Sequence, residues 1–256
     1  MSRATPRLRM FAGPNGSGKS TIKAVVEAEI GSDLFGVYLN ADDIESSITQ
    51  TGYLDVSAYG VETSAAEVLG FFSTSPFLAE KGLAAAAARL EFADGKLSCR
   101  SVVVNSYFAS VAVEFLRGKL LDAGMTFTFE TVMSHRSKVD FLRLAQEKGF
   151  RTYLYYVATE DPDINVSRVA SRVAQGGHDV SPEKIVDRYY RSLELLAESV
   201  QYANRAYIFH NSSAEKVWVA EVTDYAVLSL KTDVMPFWFK TSLWDKFGSD
   251  ESDGVS

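Results

Sequence analysis

The sequence predicts an α/β fold in which a parallel sheet of about five strands carries helices on both faces. A short apolar run at 8–12 passes directly into a glycine-rich turn and then into 21–30, where apolar residues recur at helical spacing. Further short apolar runs alternate with longer helical stretches along the chain. The chain has 256 residues, of which 46% are hydrophobic and 23% charged, so it can bury a core of this size.

The remaining elements follow in chain order. Strands are predicted at 37–39, 127–129, 152–157 and 206–209. Helices are predicted at 111–121, 138–148, 165–173 and 182–200. Ser181 is the expected N-cap of the last helix, because Pro182 fits the first helical position. Strands that alternate with helices are typical of a parallel sheet.

We expect residues 1–247 to form a single domain with two additions to its core. The first addition is a helical insertion at about 46–108. It contains the alanine-rich stretch 78–92, which has high helix propensity and enough apolar content to predict packed helices rather than a linker.

The second addition is a C-terminal extension at about 213–247. It carries strand-like runs at 217–222 and 226–230. Residues 248–256 have little to bury and are expected to form a disordered tail. The extension also holds an aromatic cluster, which consists of Phe237, Trp238, Phe239 and Trp244.

Charge and cysteine content exclude several function classes. A net charge of -7 and a pI near 5.1 argue against broad binding to nucleic acid or to an anionic membrane. The single cysteine, Cys99, rules out a disulfide scaffold. No apolar run approaches the length of about 18 residues that a membrane-spanning helix needs. We therefore expect a cytoplasmic protein without a membrane partner.

The glycine-rich turn satisfies the phosphate-loop pattern G-x-x-x-x-G-K-S/T at every fixed position, between a predicted strand and a predicted helix. Glycines let successive backbone N–H groups point at phosphate oxygens, and the helix N-terminus favours negative charge. The alternative is a glycine-rich turn that binds nothing. We expect ATP and Mg²⁺, with Lys19 on the β- and γ-phosphates and Ser20 on the metal. The predicted nucleotide-binding residues are Gly13, Pro14, Asn15, Gly16, Ser17, Gly18, Lys19, Ser20 and Thr21.

A phosphate loop identifies the nucleotide but not the reaction. Asp42 follows the second predicted strand, where residues of a parallel sheet line the ligand crevice. A hydroxyl acceptor must lose its proton as the phosphoryl group transfers, so Asp42 is the candidate base. The alternative is that Asp42 or Asp43 only caps the next helix. Glu130 closes the third strand, and a charged residue there either belongs to the site, which we favour, or marks where the chain reaches the surface. Glu114 lies in the preceding helix at an ordinary solvated position.

Two arginines, Arg168 and Arg172, are spaced i and i+4 and therefore share one helix face. A glycine-bearing connection at 176–182 leads from them to Arg188 and Arg191. This arrangement predicts a closing lid whose arginines neutralise the transferring phosphoryl group, with Arg172 as the catalytic candidate. The alternative is a solvated face that pairs with acidic neighbours. Farther on, Asn211 follows the fifth strand and is predicted to border the adenine.

With these motifs in place, the sequence resembles the zeta-toxin family of phosphate-loop kinases, the toxin partners of epsilon-type antitoxins. The resemblance rests on GPNGSGKST at 13–21, NADDI at 40–44, FET at 129–131 and INVSRVASRVAQGGHDVSP at 164–182. It also rests on a glutamate, Glu114, placed sixteen residues before Glu130. The resemblance covers most of residues 8–212.

The resemblance implies an ATP-dependent kinase that phosphorylates UDP-N-acetylglucosamine at its sugar 3′-hydroxyl, with an antitoxin protein as partner. Carried over by position, Lys19 matches the phosphate-loop lysine, Asp42 the catalytic base and Arg172 the first lid arginine. Glu114 matches a substrate-contacting glutamate, and Glu130 the acidic residue that ends the third strand. The expected substrate-binding set is Asn40, Glu114, Glu130, Thr131 and Arg168.

Two departures from the family pattern bear on the substrate. The position of a second lid arginine falls near His178 or Asp179, so its role is vacant or passes to Arg188 or Arg168. The insertion at 46–108 is longer than in the classical toxins, which leaves the acceptor open. A kinase of a nucleoside or dinucleotide, and a nucleotide-dependent switch or hydrolase that binds a protein partner, are the alternatives. A nucleic-acid end kinase is disfavoured by the acidic charge.

Overall fold

The computed structural model of the chain describes residues 4–177 and 179–247. The chain divides into two compact units. The first unit comprises residues up to 35 together with those from 128 onward, and the second comprises Gly36–Phe127. The predicted tail at 248–256 lies outside the described residues. The expectation of a single domain over 1–247 stays a prediction.

Apart from the alanine-rich stretch 78–92, the predicted strands and helices are present within the described residues. The predicted helix 182–200 is observed as two helices separated by Leu195. The strands are β1 (Arg7–Ala12), β2 (Val37–Leu39), β3 (Tyr53–Asp55), β4 (Glu91–Ala93), β5 (Lys96–Ser98), β6 (Phe127–Thr131), β7 (Arg151–Ala158), β8 (Arg205–His210), β9 (Val217–Thr223) and β10 (Val227–Leu230). The α-helices are α1 (Lys19–Ile30), α2 (Ala41–Thr51), α3 (Ala65–Ser73), α4 (Pro76–Glu80), α5 (Ala84–Ala87), α6 (Ser106–Asp122), α7 (Ser137–Glu147), α8 (Pro162–Val173), α9 (Pro182–Glu194), α10 (Leu196–Gln201) and α11 (Phe237–Ser242).

The central sheet of the first unit runs in the order β10, β9, β8, β7, β1, β6. Strand β7 is parallel to both of its neighbours, β1 and β8. Strands β9 and β10 are the two strand-like runs of the C-terminal extension, and they continue the sheet in antiparallel fashion. The α/β fold with a mostly parallel central sheet is therefore confirmed.

Helices cover both faces of this sheet. Alternate residues of each strand point to opposite sides, so one strand packs against the helices of both faces. On one side Phe11 and Tyr155 stack with ring centroids 4.5 Å apart and pack beneath Ile22 of α1. On the other side the buried Tyr156 hydroxyl lies 3.0 Å from the Ser192 hydroxyl of α9. Its ring also contacts Trp238 of α11. The aromatic cluster of the C-terminal extension thus covers one face of the core.

The second unit contains α2 to α6 and a small sheet with the strand order β3, β5, β4. The insertion predicted at 46–108 is therefore partly a β-structure. The predicted helical stretch 78–92 is interrupted at Gly82, which adopts a φ of 72° after α4 ends. A left-handed residue stops a helix, and glycine adopts that conformation without a Cβ penalty. The stretch is helical again only at Ala84–Ala87, before it enters β4.

A two-residue turn, Asp94 and Gly95, joins β4 to β5 with φ values of 50° and 75°. Asp-Gly is a preferred pair for a tight hairpin of this handedness. Across the described ranges, no helix is long and apolar enough to cross a membrane.

Candidate active site

The phosphate loop, residues 13–20, joins β1 to α1 at the carboxyl end of the sheet. Its glycines are required by close contacts as well as by their backbone angles. A Cβ on Gly13 would lie 2.0 Å from the Val157 carbonyl oxygen, and one on Gly18 would lie 2.2 Å from the Asn211 amide nitrogen. Both glycines have positive φ, so an alanine at either position would be strained and would clash.

Two asparagines hold this loop from outside. Asn165 of α8 is fully buried, and its amide donates to the Asn15 carbonyl at 2.5 Å. The Asn165 side-chain oxygen accepts from the Thr159 hydroxyl. Asn211, predicted to border the adenine, donates to the Ser17 carbonyl at 2.7 Å. The loop backbone is therefore fixed by one side chain of α8 and one that directly follows β8.

Asn165 is a site residue that the sequence reasoning did not assign. A signal was present, because Asn165 lies four residues before Val169 on the buried side of an amphipathic helix. A buried amide must be hydrogen-bonded, so an asparagine on the apolar face of a helix indicates a specific partner. The identity of that partner, 150 residues away, does not follow from the sequence.

The lysine of the loop is the first residue of α1. Its ammonium group donates to the carbonyls of Gly13 and Pro14, both at 3.0 Å. Lys19 is thus folded across the mouth of its own loop. The first backbone N–H groups of a helix have no acceptor within the helix, so the N-terminus of α1 adds partial positive charge at the same place.

Two buried polar atoms of the loop, the Ser17 hydroxyl oxygen and the Asn15 side-chain oxygen, have no hydrogen-bond partner within the described part of the chain. Polar groups that are buried without a partner are rare and need an explanation. A bound phosphate would supply an acceptor for the Ser17 hydroxyl. The loop therefore fits a phosphate group in both its backbone shape and its donors.

Ser20, which is predicted to bind the metal, lies beside Glu130, which is predicted to close the third strand. The Ser20 hydroxyl donates to the Glu130 carboxylate at 2.9 Å across 110 residues of sequence. A hydroxyl and a carboxylate are the oxygen ligands that Mg²⁺ takes in phosphate-loop proteins. The neighbouring Thr131 accepts a hydrogen bond from the Met133 N–H at 3.2 Å.

The predicted lid consists of α8 and α9, which pack against each other. Arg168 donates to the Asn211 carbonyl at 2.7 Å, so it is already committed to the loop that follows β8. Arg172, one turn later, is exposed, and its carbonyl accepts from the Gly177 N–H at 3.0 Å. Arg191 pairs with Asp187 on its own helix. His178, considered for the second lid position, lies outside the described residues.

In the second unit, Asn40 is the N-cap of α2, and its side-chain oxygen accepts from the Asp42 N–H at 2.9 Å. The alternative in which Asp42 or Asp43 caps this helix is therefore wrong, because Asn40 performs that role. Asp42 is exposed in the first turn of α2. The Asp42 carboxylate is therefore not the cap of α2.

Glu114 lies on α6, where its carboxylate is 3.7 Å from the Arg117 guanidinium. Burial lowers the pKa of Arg117, and the nearby Glu114 charge opposes that shift. Glu114 also lines a groove together with Phe71 and Gly118. The predicted acceptor residues of this unit thus occupy two places, the N-terminus of α2 and the surface of α6.

The sheet order and the loop define an α/β protein of the phosphate-loop class. The family model described as Zeta toxin matches residues 92–223, slightly more than half of the chain. The chain belongs to the zeta toxin family. The matched range includes Glu114, Glu130 and both lid arginines, whereas the phosphate loop and Asp42 precede it.

Solved structures with a similar fold have low sequence identity. A chain of the PezAT chromosomal toxin–antitoxin system of Streptococcus pneumoniae is 16% identical, with a TM-score of 0.50 over 98% of this chain and 83% of that one. A chain of the AvrRxo1-ORF1:-ORF2 complex with ATP is 17% identical, with a TM-score of 0.51 over 98% of this chain and 66% of that one. At this identity the likeness concerns the fold alone.

A sequence relative from Haemophilus influenzae, described as an uncharacterized protein, is 32% identical over 63 residues. The match covers 25% of this chain and 45% of that protein, so it spans less than half of the relative. It adds no functional information.

Proposed function

We propose that the protein is an ATP-dependent kinase that transfers the γ-phosphoryl group to a hydroxyl of a small molecule in the cytoplasm, with UDP-N-acetylglucosamine as the leading acceptor. The observation that carries the proposal is the phosphate loop, whose mouth holds Lys19 beside the Ser20–Glu130 pair. Membership of the zeta toxin family supports a kinase over other phosphate-loop proteins.

The donor is held by the loop backbone, the N-terminus of α1 and the Lys19 ammonium. Lys19 exchanges its two carbonyl acceptors for phosphate oxygens when the nucleotide enters. Ser20 and Glu130 would hold Mg²⁺ through their oxygens. When bound there, Mg²⁺ would supply positive charge that offsets the charge of the β- and γ-phosphates.

Asp42 accepts the proton of the acceptor hydroxyl as the phosphoryl group leaves ATP. Capping of α2 by Asn40 supports this role, because it fixes the backbone at Asp42 in the first turn of the helix. Arg172 stabilises the charge on the transferring group when the lid closes. Arg168 donates a hydrogen bond to the Asn211 carbonyl and so holds α8 against the segment that follows β8.

The acceptor and the partner follow from the family and not from a direct observation. UDP-N-acetylglucosamine is favoured because Glu114 matches, by position, the substrate-contacting glutamate of the family, and Thr131 belongs to the expected substrate-binding set. An antitoxin protein is the proposed partner, since one neighbour of similar fold comes from a toxin–antitoxin system.

The test is a coupled ADP-release assay with UDP-sugars, nucleosides and nicotinamide dinucleotides as acceptors. We expect turnover with UDP-N-acetylglucosamine that needs Mg²⁺ and is lost in Lys19→Ala. Turnover with only the other two classes would refute the sugar assignment and keep the kinase. ATP hydrolysis that needs no acceptor and survives Asp42→Asn would favour a switch or hydrolase instead.

A further inference from the structure

Phe237 is an apolar side chain in an unexpected place. The residue is 71% exposed, more than any other aromatic residue in the described ranges. Phe237 is the first residue of α11, and the residues just before it, Val234 and Met235, are also exposed. Exposed apolar residues that cluster mark a site of contact more often than isolated ones do. The core does not need this ring, because the adjacent Trp238 and Phe239 are buried.

The backbone that carries this ring is fixed by two hydrogen bonds. The Phe237 N–H donates to the Glu160 carboxylate at 3.1 Å. The Trp238 indole N–H donates to His210 Nδ1 at 3.0 Å. His210 accepts here through a neutral ring, which agrees with its burial, since burial lowers the pKa of His210. The exposed ring therefore projects from a rigid position.

The two acceptors of these bonds lie at the carboxyl ends of β7 and β8. Glu160 follows β7, and its N–H donates to the Ser212 hydroxyl at 2.7 Å. His210 is the last residue of β8 and directly precedes Asn211, whose amide is bonded to the phosphate loop. A short series of contacts thus connects the backbone at Phe237 and Trp238 to the loop.

The direction of a bound nucleotide follows from the strand order. The Ser20–Glu130 pair lies towards β6, on one side of β1. Strands β7 and β8 lie on the other side of β1. A nucleotide whose terminal phosphates approach Glu130 extends its base away from β6, towards the ends of β7 and β8. This is the side on which the Phe237 backbone is attached, through Glu160 after β7.

We propose that Phe237 is the platform on which the purine base of the donor nucleotide stacks, so that the C-terminal extension completes the donor site. The inference rests on the proposed function, because it assumes that the phosphate loop binds a nucleotide. Nucleotide bases stack on aromatic rings. An exposed phenyl ring can accept a base without displacing other side chains. Glu160 is a positioning residue in this account, since it holds the Phe237 backbone.

Binding of ATP and of inorganic tripolyphosphate, measured by calorimetry in the presence of Mg²⁺, separates the base from the phosphates. We expect Phe237→Ala to weaken ATP binding about tenfold and to leave tripolyphosphate binding unchanged. Phe237→Trp should restore the affinity for ATP. The matched control is Trp218→Ala, which removes a 40% exposed aromatic residue of β9. This variant should bind ATP and tripolyphosphate with unchanged affinity.

Unchanged ATP affinity in Phe237→Ala would overturn the inference. Equal losses of ATP and tripolyphosphate would also overturn it, because they would indicate a disturbed loop. Lys19→Ala tests the proposed function separately, since it should weaken both ligands. If Lys19→Ala binds both ligands normally, the phosphate-loop assignment fails whatever Phe237 does, and a wild-type chain that binds neither ligand overturns both proposals.

Discussion

The residues assigned to the phosphoryl donor and those assigned to the acceptor are built differently. The phosphate loop of the first unit is enclosed by backbone contacts at Gly13 and Gly18 and fastened by two buried asparagines. In the second unit Asp42 lies exposed in the first turn of a helix that is fixed locally by Asn40. A triphosphate presents the same groups to every kinase, whereas acceptors differ. The conformation of the phosphate loop is therefore fixed by several contacts, whereas the acceptor residues are held by fewer contacts and can differ between kinases.

The largest effect is expected from Asp42→Asn. The amide keeps the size of the side chain but cannot take the hydroxyl proton, so kcat for transfer should fall by roughly 10²- to 10⁴-fold. Nucleotide binding, measured by calorimetry, should be unchanged. Asp43→Asn is the matched control, because Asp43 lies in the same helical turn. Equal losses of activity in the two variants would show that the turn, and not the Asp42 carboxylate, is needed.

A smaller effect is expected from Glu130→Gln. Replacing the carboxylate removes one proposed oxygen ligand, so the Mg²⁺ concentration for half-maximal rate should rise by roughly 10- to 100-fold. Excess Mg²⁺ should recover part of the rate. Glu147→Gln on the surface of α7 serves as the control. A loss that no Mg²⁺ concentration relieves would assign Glu130 to the acceptor instead.

Asn165→Asp tests the fastening of the loop. The aspartate still accepts from the Thr159 hydroxyl but no longer donates to the Asn15 carbonyl, which is left buried without its partner. The free energy of unfolding in urea should fall by about 1–3 kcal/mol, and KM for ATP should rise. Ser167→Ala on the exposed side of α8 should change neither value. Normal stability with normal KM would mean that the loop holds its shape without Asn165.

Two glycine variants of the second unit should have effects of opposite sign. Gly95→Ala forces a Cβ to within 3.0 Å of Ser57 at a φ of 75°, so it should destabilise the chain by about 1 kcal/mol or more. Gly70→Ala on α3 meets no atom within 4 Å and should stabilise it by about 0.5–1 kcal/mol. ATP binding should be unchanged in both. An altered affinity for ATP in either variant would contradict the assignment of the donor site to the first unit.

The last prediction concerns the second unit and changes no activity. It is the pH dependence of the rate at which the buried Cys99 thiol is alkylated. Burial raises the pKa of the Cys99 thiol to about 11. Only the thiolate reacts with alkylating agents, so the labelling rate of the folded chain should rise about tenfold per pH unit between pH 7 and 10. In the urea-unfolded chain, the rate should level off near pH 9. A plateau near pH 9 in the folded chain would mean that Cys99 contacts solvent.

The sequence predicted the donor region more completely than the acceptor region for a physical reason. The fixed positions of the phosphate loop lie within a few residues of each other, so their pattern specifies strand, turn and helix together. The Ser20–Glu130 bond and the Asn165 contact join residues more than a hundred positions apart, and no local pattern encodes them.

Other features were encoded locally but were not recognised. Asp94-Gly95 is a hairpin signal that the helix propensity of the alanine-rich stretch obscured. Asn40 is as good an N-cap as the two aspartates that follow it, and only the structure shows which residue caps α2.

The most direct test of the account follows the γ-phosphoryl group itself. ATP labelled at the γ-position is incubated with Mg²⁺, UDP-N-acetylglucosamine and the wild-type chain, Asp42→Asn or Asp43→Asn. The account predicts that the label appears on the sugar nucleotide with the wild-type chain and Asp43→Asn and stays on ATP with Asp42→Asn. Label that appears as inorganic phosphate at the same rate in all three chains, with or without the acceptor, would contradict the assignment of a kinase.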